Sequence, residues 1–404
     1  PKRRWLSPAI ILIVATYTII LLITFLRQPL PRETTVVDPT NTPERFVPTR
    51  TASVQELAER VTAATETAIP IIIATPEPSL TPTSMPATPV IDELPDEGMF
   101  PDLARFGMTG GVDHAQMAYD AGLQFSQLLN WHVVVEPPQK AYYFWQMVRL
   151  EEDGIRDTNW EQLDEAIKAN PGSRWLVGNE PDVKWQDNVT PERYAEIYHE
   201  VYSFIKERDP NAQLVIGGVS QSTPLRRAYL DIVLDTYQAN YGESMPIDIW
   251  NVHAFTLREE AESWGVGIPP GMEGQTGILY EIEDHNDIEI LRQNLIDFRL
   301  WMSERGYGDK PLVISEYGIL MPEDYGFTTE VLGTFLTDSF DLFLTEANET
   351  GYAPDGNRLV QWWFWYIVYE SEYYPTGSLY DVPEERFTPL GEIWIDYLEE
   401  LSAN

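Results

Sequence analysis

Two glutamates each follow a short apolar run of strand length. Glu180 comes after the run WLVG and one asparagine, and Glu316 comes directly after LVIS. A carboxylate at the end of a buried strand is costly unless it faces a polar cleft. Two such groups in one cleft supply what hydrolysis of a glycosidic bond requires, because one protonates the departing oxygen while the other attacks the anomeric carbon or activates water. One strand-end glutamate alone would be equally consistent with a helix N-cap or a salt bridge, but the pair favours the catalytic interpretation.

The elements that must position these glutamates are apolar runs that alternate with longer amphipathic segments from residue 101 onward. Short continuous apolar runs are typical of parallel strands that are buried on both faces. The predicted strands are 103–108, 125–131, 144–150, 174–180, 213–219, 247–253, 311–317 and 359–366. The predicted helices are 160–170, 191–209, 225–240, 288–306, 329–347 and 390–402.

This alternation predicts an α/β fold, a (β/α)8 TIM barrel. An open doubly wound sheet is the alternative, but no G-x-G-x-x-G motif follows the first predicted strand. A barrel of this kind gathers its functional site at the C-terminal ends of its strands. We therefore expect Glu180, at the end of the fourth strand, and Glu316, at the end of the seventh, to meet across the barrel mouth.

Both glutamates lie in short motifs that resemble those of a known clan. Asn-Glu-Pro at 179–181 and Glu-Tyr-Gly at 316–318 are similar to the paired motifs of the retaining (β/α)8-barrel glycoside hydrolases of clan A, with no single family assigned. The resemblance covers residues 101–404. It implies that Glu180 is the acid/base, that Glu316 is the nucleophile, and that Asn179 hydrogen-bonds the 2-hydroxyl of the sugar.

The sixth predicted strand matches the clan in part. Clan members often have His-x-Tyr here, and the tyrosine hydroxyl contacts the nucleophile. His253 matches the histidine, but Phe255 stands in place of the tyrosine, so Tyr317 or another hydroxyl would have to position Glu316. A buried core histidine is the alternative for His253. The arginine that many members carry at the end of the second strand is not assigned, because that stretch is Leu-Asn-Trp at 129–131.

Several tryptophans are candidates for contact with a sugar, because an indole packs its apolar face well while its N–H finds a polar partner. The resemblance implies an aromatic platform at the end of the eighth strand, and Trp365 is preferred to Trp363 for it. Trp131, at the end of the second strand, and Trp185, in the loop after the fourth, are candidates for extending the cleft. Ordinary packing is the alternative for each.

The segment 256–284 is long and rich in Gly, Pro and Glu. Loops of this length in a compact domain are often lids or binding walls, so this one is a candidate cleft wall. Its acidic run, Glu259, Glu260 and Glu262, is interpreted as a solvated face.

Composition limits the partners that this chain can take. The formal net charge is −37, with 64 acidic and 27 basic residues, which disfavours nucleic acid and polyanionic substrates. The absence of cysteine excludes a thiol nucleophile, disulfides and thiolate-ligated metals. No P-loop or H-E-x-x-H motif is present, so no cofactor and no metal site are predicted. A carbohydrate substrate fits best with many aromatic and carboxylate residues.

The N-terminal 98 residues are predicted to lie outside the barrel. Residues 5–26 contain no charged side chain and follow Lys2, Arg3 and Arg4. A run of this length suits a transmembrane helix, and the preceding charges place the N-terminus in the cytoplasm. A cleaved signal peptide is the alternative, but its apolar core should be shorter. The predicted domains are a signal-anchor at 1–27, a disordered Pro/Thr-rich stalk at 28–98, and the barrel at 99–404.

Together these observations predict a single-pass, surface-anchored retaining glycoside hydrolase. Its catalytic domain would lie outside the cell membrane and would cleave a neutral glycan with Glu180 and Glu316. The alternative is a catalytically silent barrel that binds cell-surface glycans or a partner protein.

Overall fold

The computed structural model describes residues 100–138, 142–371 and 375–403. Its helices are α1 (Val112–Ala121), α2 (Trp160–Ala169), α3 (Pro191–Arg208), α4 (Pro224–Tyr241), α5 (Ile288–Glu304), α6 (Thr329–Thr345) and α7 (Pro389–Ala403). Its strands are β1 (Phe106–Thr109), β2 (Gln127–Leu129), β3 (Tyr143–Glu151), β4 (Gly154–Arg156), β5 (Arg174–Asn179), β6 (Gln213–Gly218), β7 (Trp250–Val252), β8 (Leu312–Tyr317), β9 (Ala347–Tyr352), β10 (Trp362–Trp365), β11 (Tyr380–Asp381) and β12 (Arg386–Phe387).

Eight of these strands form one parallel barrel. They are hydrogen-bonded in the order β6, β5, β3, β2, β1, β10, β8, β7. Parallel bridges from Val215 to Ile249 and from Val219 to Val252 join the two ends of that order. Each predicted strand overlaps one barrel strand, in the predicted sequence order, so the barrel prediction is confirmed.

The apolar core has two layers, because side chains alternate across each strand. On β10, Trp362 and Phe364 point into the barrel, where they pack with residues such as Trp145. Trp363 and Trp365 belong to the larger layer between the barrel and its helices. This alternation decides which aromatic residues near the end of β10 can reach the barrel mouth.

The N-terminal end of the barrel is filled by side chains. The fully buried Arg105 donates hydrogen bonds of 2.6 and 2.7 Å to Asp355. Arg174, at the start of β5, lies 4.2 Å from the ring centre of Trp362, and Phe100 packs edge-on against the same ring. Because this end is closed, the C-terminal ends of the strands are left to form the open mouth.

Some elements differ from the prediction. Helix α1 was not predicted; its buried residues are only the small Ala115 and Ala118. Residues 103–105, predicted as the start of a strand, belong to the 3-10 turn Asp102–Arg105, where the Arg105 side chain turns to its ion pair. The hairpin of β3 and β4 and the small strands β9, β11 and β12 were also missed.

The predicted signal-anchor at 1–27 and stalk at 28–98 lie outside the described residues. Among the helices that the structure describes, none combines the length and the hydropathy that crossing a membrane requires.

Candidate active site

Glu180 and Glu316 lie on either side of one histidine ring at the barrel mouth. His253 Nδ1 is 2.9 Å from Glu180 Oε1, and His253 Nε2 is 3.7 Å from Glu316 Oε1. All three side chains are buried, with relative exposures of 7% for Glu180, 5% for Glu316 and 0% for His253. The three residues that the sequence assigned to one site are therefore brought together.

Local backbone geometry turns Glu180 toward the mouth. It directly follows β5 and has a φ of +44°, a left-handed conformation that is uncommon for residues other than glycine. Its amide donates to Gly218 O at 3.0 Å, and the preceding amide, of Asn179, donates to Asp187 Oδ2 at 2.7 Å. These bonds hold the strained turn that ends the strand, as is common at functional sites.

His253 occupies space that Gly218 leaves open. A Cβ atom at position 218 would lie 2.6 Å from His253 Cδ2, closer than packed carbon atoms approach. Burial by itself lowers the pKa of His253, but the carboxylates of Glu316 and Glu180 outweigh burial and raise its pKa above the ordinary value. The ring can therefore carry positive charge between two acids.

Glu316 is held by an indole rather than by a hydroxyl. Trp131 Nε1 donates a hydrogen bond of 2.7 Å to Glu316 Oε1. Burial raises the pKa of the Glu316 carboxyl and the charge of Glu180 raises it further, while His253 and the Trp131 bond act in the opposite direction. Trp131 thus supplies a donor to Glu316, whereas Phe255 has no polar group to offer.

The predicted cleft wall is tied to the loop of Glu180 by a buried arginine. Arg226 Nε donates to Asp182 Oδ2 at 3.0 Å and Nη1 donates to Glu259 Oε1 at 2.8 Å. Arg226 Nη2 also donates to Gly267 O at 3.0 Å, and the amide of Ile278 donates to the second oxygen of Glu259 at 2.7 Å. Glu259 is 1% exposed, so the prediction that it belongs to a solvated face is wrong.

A neutral histidine joins the same wall to the loop after β8. The fully hydrogen-bonded ring of His285 donates from Nδ1 to Thr256 O at 2.7 Å and accepts at Nε2 from Leu320 N at 2.8 Å. Burial lowers the pKa of His285 to about 4. These two hydrogen bonds, called the His285 clip below, therefore hold two loops of the mouth together while the ring is uncharged.

A cleft of about 440 Å³ opens above the glutamate pair, within the range of roughly 300–1,000 Å³ that is common for ligand pockets. Segment 256–284 forms one wall of it, as predicted. Apolar and aromatic side chains dominate the lining, which consists of Glu180, Val183, Trp185, Gln186, Phe255, Leu257, Trp264, Gly265, Val266, Ile282, Glu316, Leu320, Met321, Tyr325 and Tyr366.

The remaining predicted binding residues fall into two groups. Trp185 lies on the cleft rim and is 71% exposed. Asn179 adjoins Glu180, and its Oδ1 is buried without a hydrogen-bond partner among the described residues. By contrast, the rings of Tyr317 and Trp365 pack edge-to-face on one another in the layer between barrel and helices, and neither lines the cleft.

The placement of Tyr317 and Trp365 follows from strand alternation. Trp365 points outward, and its indole donates to Gly377 O at 2.8 Å. Tyr366, one residue further and just beyond the end of β10, lines the cleft and packs edge-on against Trp131. Extending the alternation of β10 by one residue would have identified Tyr366, so the prediction of Trp365 as the aromatic platform is wrong.

Two other aromatic residues of the lining, Trp264 and Tyr325, were also missed. Trp264 lies in a loop and Tyr325 ends the short 3-10 turn Glu323–Tyr325, and neither segment is long enough to show a period that would indicate the direction of a side chain. Among the residues that the structure describes, no group of three or more histidine or acidic side chains is placed to hold a metal ion.

Comparisons with known proteins bear on the fold. A GH128 (subgroup III) curdlan-specific exo-β-1,3-glucanase from Blastomyces gilchristii, solved with glucose, is similar with a TM-score of 0.50 and 17% identity, over 73% of this chain and 98% of that chain. A GH128 (subgroup II) endo-β-1,3-glucanase from Sorangium cellulosum gives 0.48 and 16% identity, over 72% of this chain and 97% of that chain. At such identities the likeness concerns the barrel and assigns no activity. No protein-family model matches the chain, and a search of curated proteins found no match.

Proposed function

We propose that this chain is a glycoside hydrolase that cleaves a neutral glycan. The observation that carries the proposal is the pair of buried carboxyl groups, Glu180 and Glu316, on either side of His253 at the floor of an aromatic cleft. Two opposed carboxyl groups at the C-terminal end of a barrel are suited to acid and nucleophile roles on one glycosidic bond.

In this proposal the reaction is a double displacement that retains the anomeric configuration. Glu316 attacks the anomeric carbon as the glycosidic C–O bond breaks, and Glu180 gives its proton to the departing oxygen. Glu180, now ionised, then takes a proton from water, which attacks the same carbon and releases Glu316. Trp131 and His253 both face Oε1 of Glu316, so we assign Oε2 as the attacking atom.

The raised pKa of Glu316 sets a requirement on this mechanism. Its carboxyl must be ionised to attack, whereas burial favours the protonated form. His253 resolves the conflict, because a positive ring beside the carboxylate stabilises its charge. Activity should therefore be lost as the pH falls and Glu316 takes up a proton.

The cleft chemistry supports a neutral polysaccharide as the substrate. Aromatic rings such as Trp185, Trp264 and Tyr366 suit the apolar faces of sugars, and the net charge of −37 disfavours uronic acids. Because the structurally similar enzyme from Blastomyces gilchristii is curdlan-specific, β-1,3-glucans are the first substrates to test.

We also propose that the enzyme works at a cell surface. The uncharged run at 5–26 would anchor the chain in the cell membrane, and the Pro/Thr-rich segment 28–98 would hold the barrel away from it. Fractionation of cells that express the full chain tests this. Association with membranes that resists high salt and alkali is expected, and release into the soluble fraction would contradict the anchor.

A screen on curdlan, laminarin and other neutral polysaccharides tests the activity. The chain is expected to release reducing sugars from at least one, and Glu180→Gln and Glu316→Gln should each reduce kcat strongly with unchanged folding by circular dichroism. Glycan binding without hydrolysis in the wild-type chain would favour the alternative of a catalytically silent binding barrel.

A further inference from the structure

A second cavity of about 740 Å³ lies beside the cleft. The two share Trp185, Gly265 and Val266 as common lining residues, so these residues form a saddle between them. One side of the second cavity comes from the loop after Glu180, and the other side comes from the wall segment between residues 259 and 279. The cavity is therefore continuous with the glutamate pair along one direction.

The wall of this cavity is built into the fold. The buried carboxylate of Glu259 binds the wall at the amide of Ile278 and receives a hydrogen bond from Arg226. Gly277 packs so closely that an added Cβ would lie 2.2 Å from the Cβ of Glu259. Because the wall is fixed from behind, the second cavity exists before any ligand binds, and ligand binding does not have to order it.

The exposed surface of the cavity is mixed in a way that suits sugars. Trp185 and Leu279 are 71% and 52% exposed, which places them among the three most exposed large apolar side chains that the structure describes. Asn188, Thr276 and Gln275 line the same cavity and offer hydroxyl and amide groups. Lys184 Nζ lies 5.0 Å from the ring centre of Trp185, where it can donate to a sugar hydroxyl at the saddle.

We propose that the second cavity binds further units of the same neutral glycan, so that the chain continues from the cleft over Trp185. This inference rests on the proposed function and adds to it a preference for long chains. Uronic acids are disfavoured here, because Glu260, Glu262 and Glu273 also line the cavity and would repel their carboxylates.

Binding to the full chain carrying Glu316→Gln tests the inference, with laminaritriose and laminarihexaose as probes in isothermal titration calorimetry. The hexasaccharide should bind at least about tenfold more tightly than the trisaccharide, which corresponds to about 1.4 kcal/mol. Adding Ala261→Trp, at an exposed position of the cavity lining, should fill the cavity and remove most of that difference. Ala239→Trp, at an exposed position on α4, is the matched control and should preserve it.

The outcomes separate this inference from the proposed function. If both sugars bind equally, or if Ala261→Trp leaves the difference intact, the second cavity is not a glycan site and the function of the cleft stands. If neither sugar binds, the proposed β-1,3-glucan substrate is wrong, and the inference that rests on it falls too. A difference that only Ala261→Trp removes supports the inference.

Discussion

Replacing Trp131 by phenylalanine removes the indole donor to Glu316 while keeping an aromatic ring. The lost bond, 2.7 Å long, goes to a carboxylate, and hydrogen bonds to charged groups contribute about 1.5–3 kcal/mol. Because this bond favours the ionised form, its loss should raise the pKa of Glu316 further above its usual range. Less of the enzyme then holds an ionised nucleophile at acidic pH. On the acid limb, kcat/KM should fall about 10- to 150-fold, the rate equivalent of that free energy.

The assay is the pH dependence of kcat/KM on a soluble substrate identified by the screen. For Trp131→Phe the acid limb of the pH profile should move to higher pH, and the decrease in kcat/KM relative to the wild type should become smaller as the pH rises. Trp301→Phe is the matched control, because it removes an indole bond of 2.9 Å to the carboxylate of Asp231 in the helix layer, and it should leave the limb unmoved. A loss that is equal at every pH, with the limb in place, would show that Trp131 does not act through the ionisation of Glu316.

Three further predictions concern stability. Glu316→Gln should raise the Tm at pH 7, because a carboxyl whose pKa is raised by burial destabilises the fold when it is ionised. Calorimetry should find that this gain in Tm shrinks as the pH falls toward the ordinary glutamate pKa. A lower Tm of the variant at pH 7 would contradict the prediction. Burial lowers the pKa of His285 to about 4, so its neutral ring should contribute about 3 kcal/mol to the free energy of unfolding above pH 6.5. This contribution should be lost as the pH falls from 6.5 to about 4. Urea unfolding of wild type and His285→Asn should therefore converge at low pH, whereas a constant difference would refute the clip. Glu259→Gln breaks the buried ion pair with Arg226 and should lower the free energy of unfolding by about 3–5 kcal/mol. The control Glu260→Gln, on the exposed side of the wall, should change this free energy little. Equal effects of the two substitutions would place Glu259 at the surface.

The barrel and its glutamates could be predicted because each depends on local sequence. The run WLVG before Glu180 is apolar on both faces, as a buried parallel strand must be. The ends of parallel strands then meet at one side of the sheet without any further information. Hence the meeting of Glu180 with Glu316 follows from topology alone.

Residues whose roles depend on contacts distant in sequence could not be predicted. Trp131 contacts Glu316 from 185 positions away, and no pattern near either residue indicates that an indole donates to this carboxylate. Glu259 has the same sequence surroundings as Glu260, yet only Glu259 meets the buried Arg226, 33 positions earlier. Charge runs indicate a solvated face only where no buried cation lies opposite.

The aromatic residues at the mouth of the barrel could be predicted only in part. The alternation of side chains along β10 was sufficient to show that Trp365 and Tyr366 point in different directions. Trp365 was nevertheless predicted as the aromatic platform because it is a tryptophan. Trp264 lies on a loop and Tyr325 in a single 3-10 turn, and neither is part of a strand or long helix whose period would fix side-chain direction. Aromatic content alone thus predicts an aromatic cleft, but not which rings line it.

In the proposed reaction, Glu316 and Glu180 perform a double displacement on a glycosidic bond. Proton NMR of the first product released from a defined oligosaccharide tests this reaction, because the anomeric configuration is read before mutarotation. Two displacements at one carbon return the starting configuration. The first-formed product should keep the configuration of the substrate, and Glu316→Gln should form none of it. Appearance of the inverted anomer first would contradict attack by Glu316, even if both glutamates proved essential.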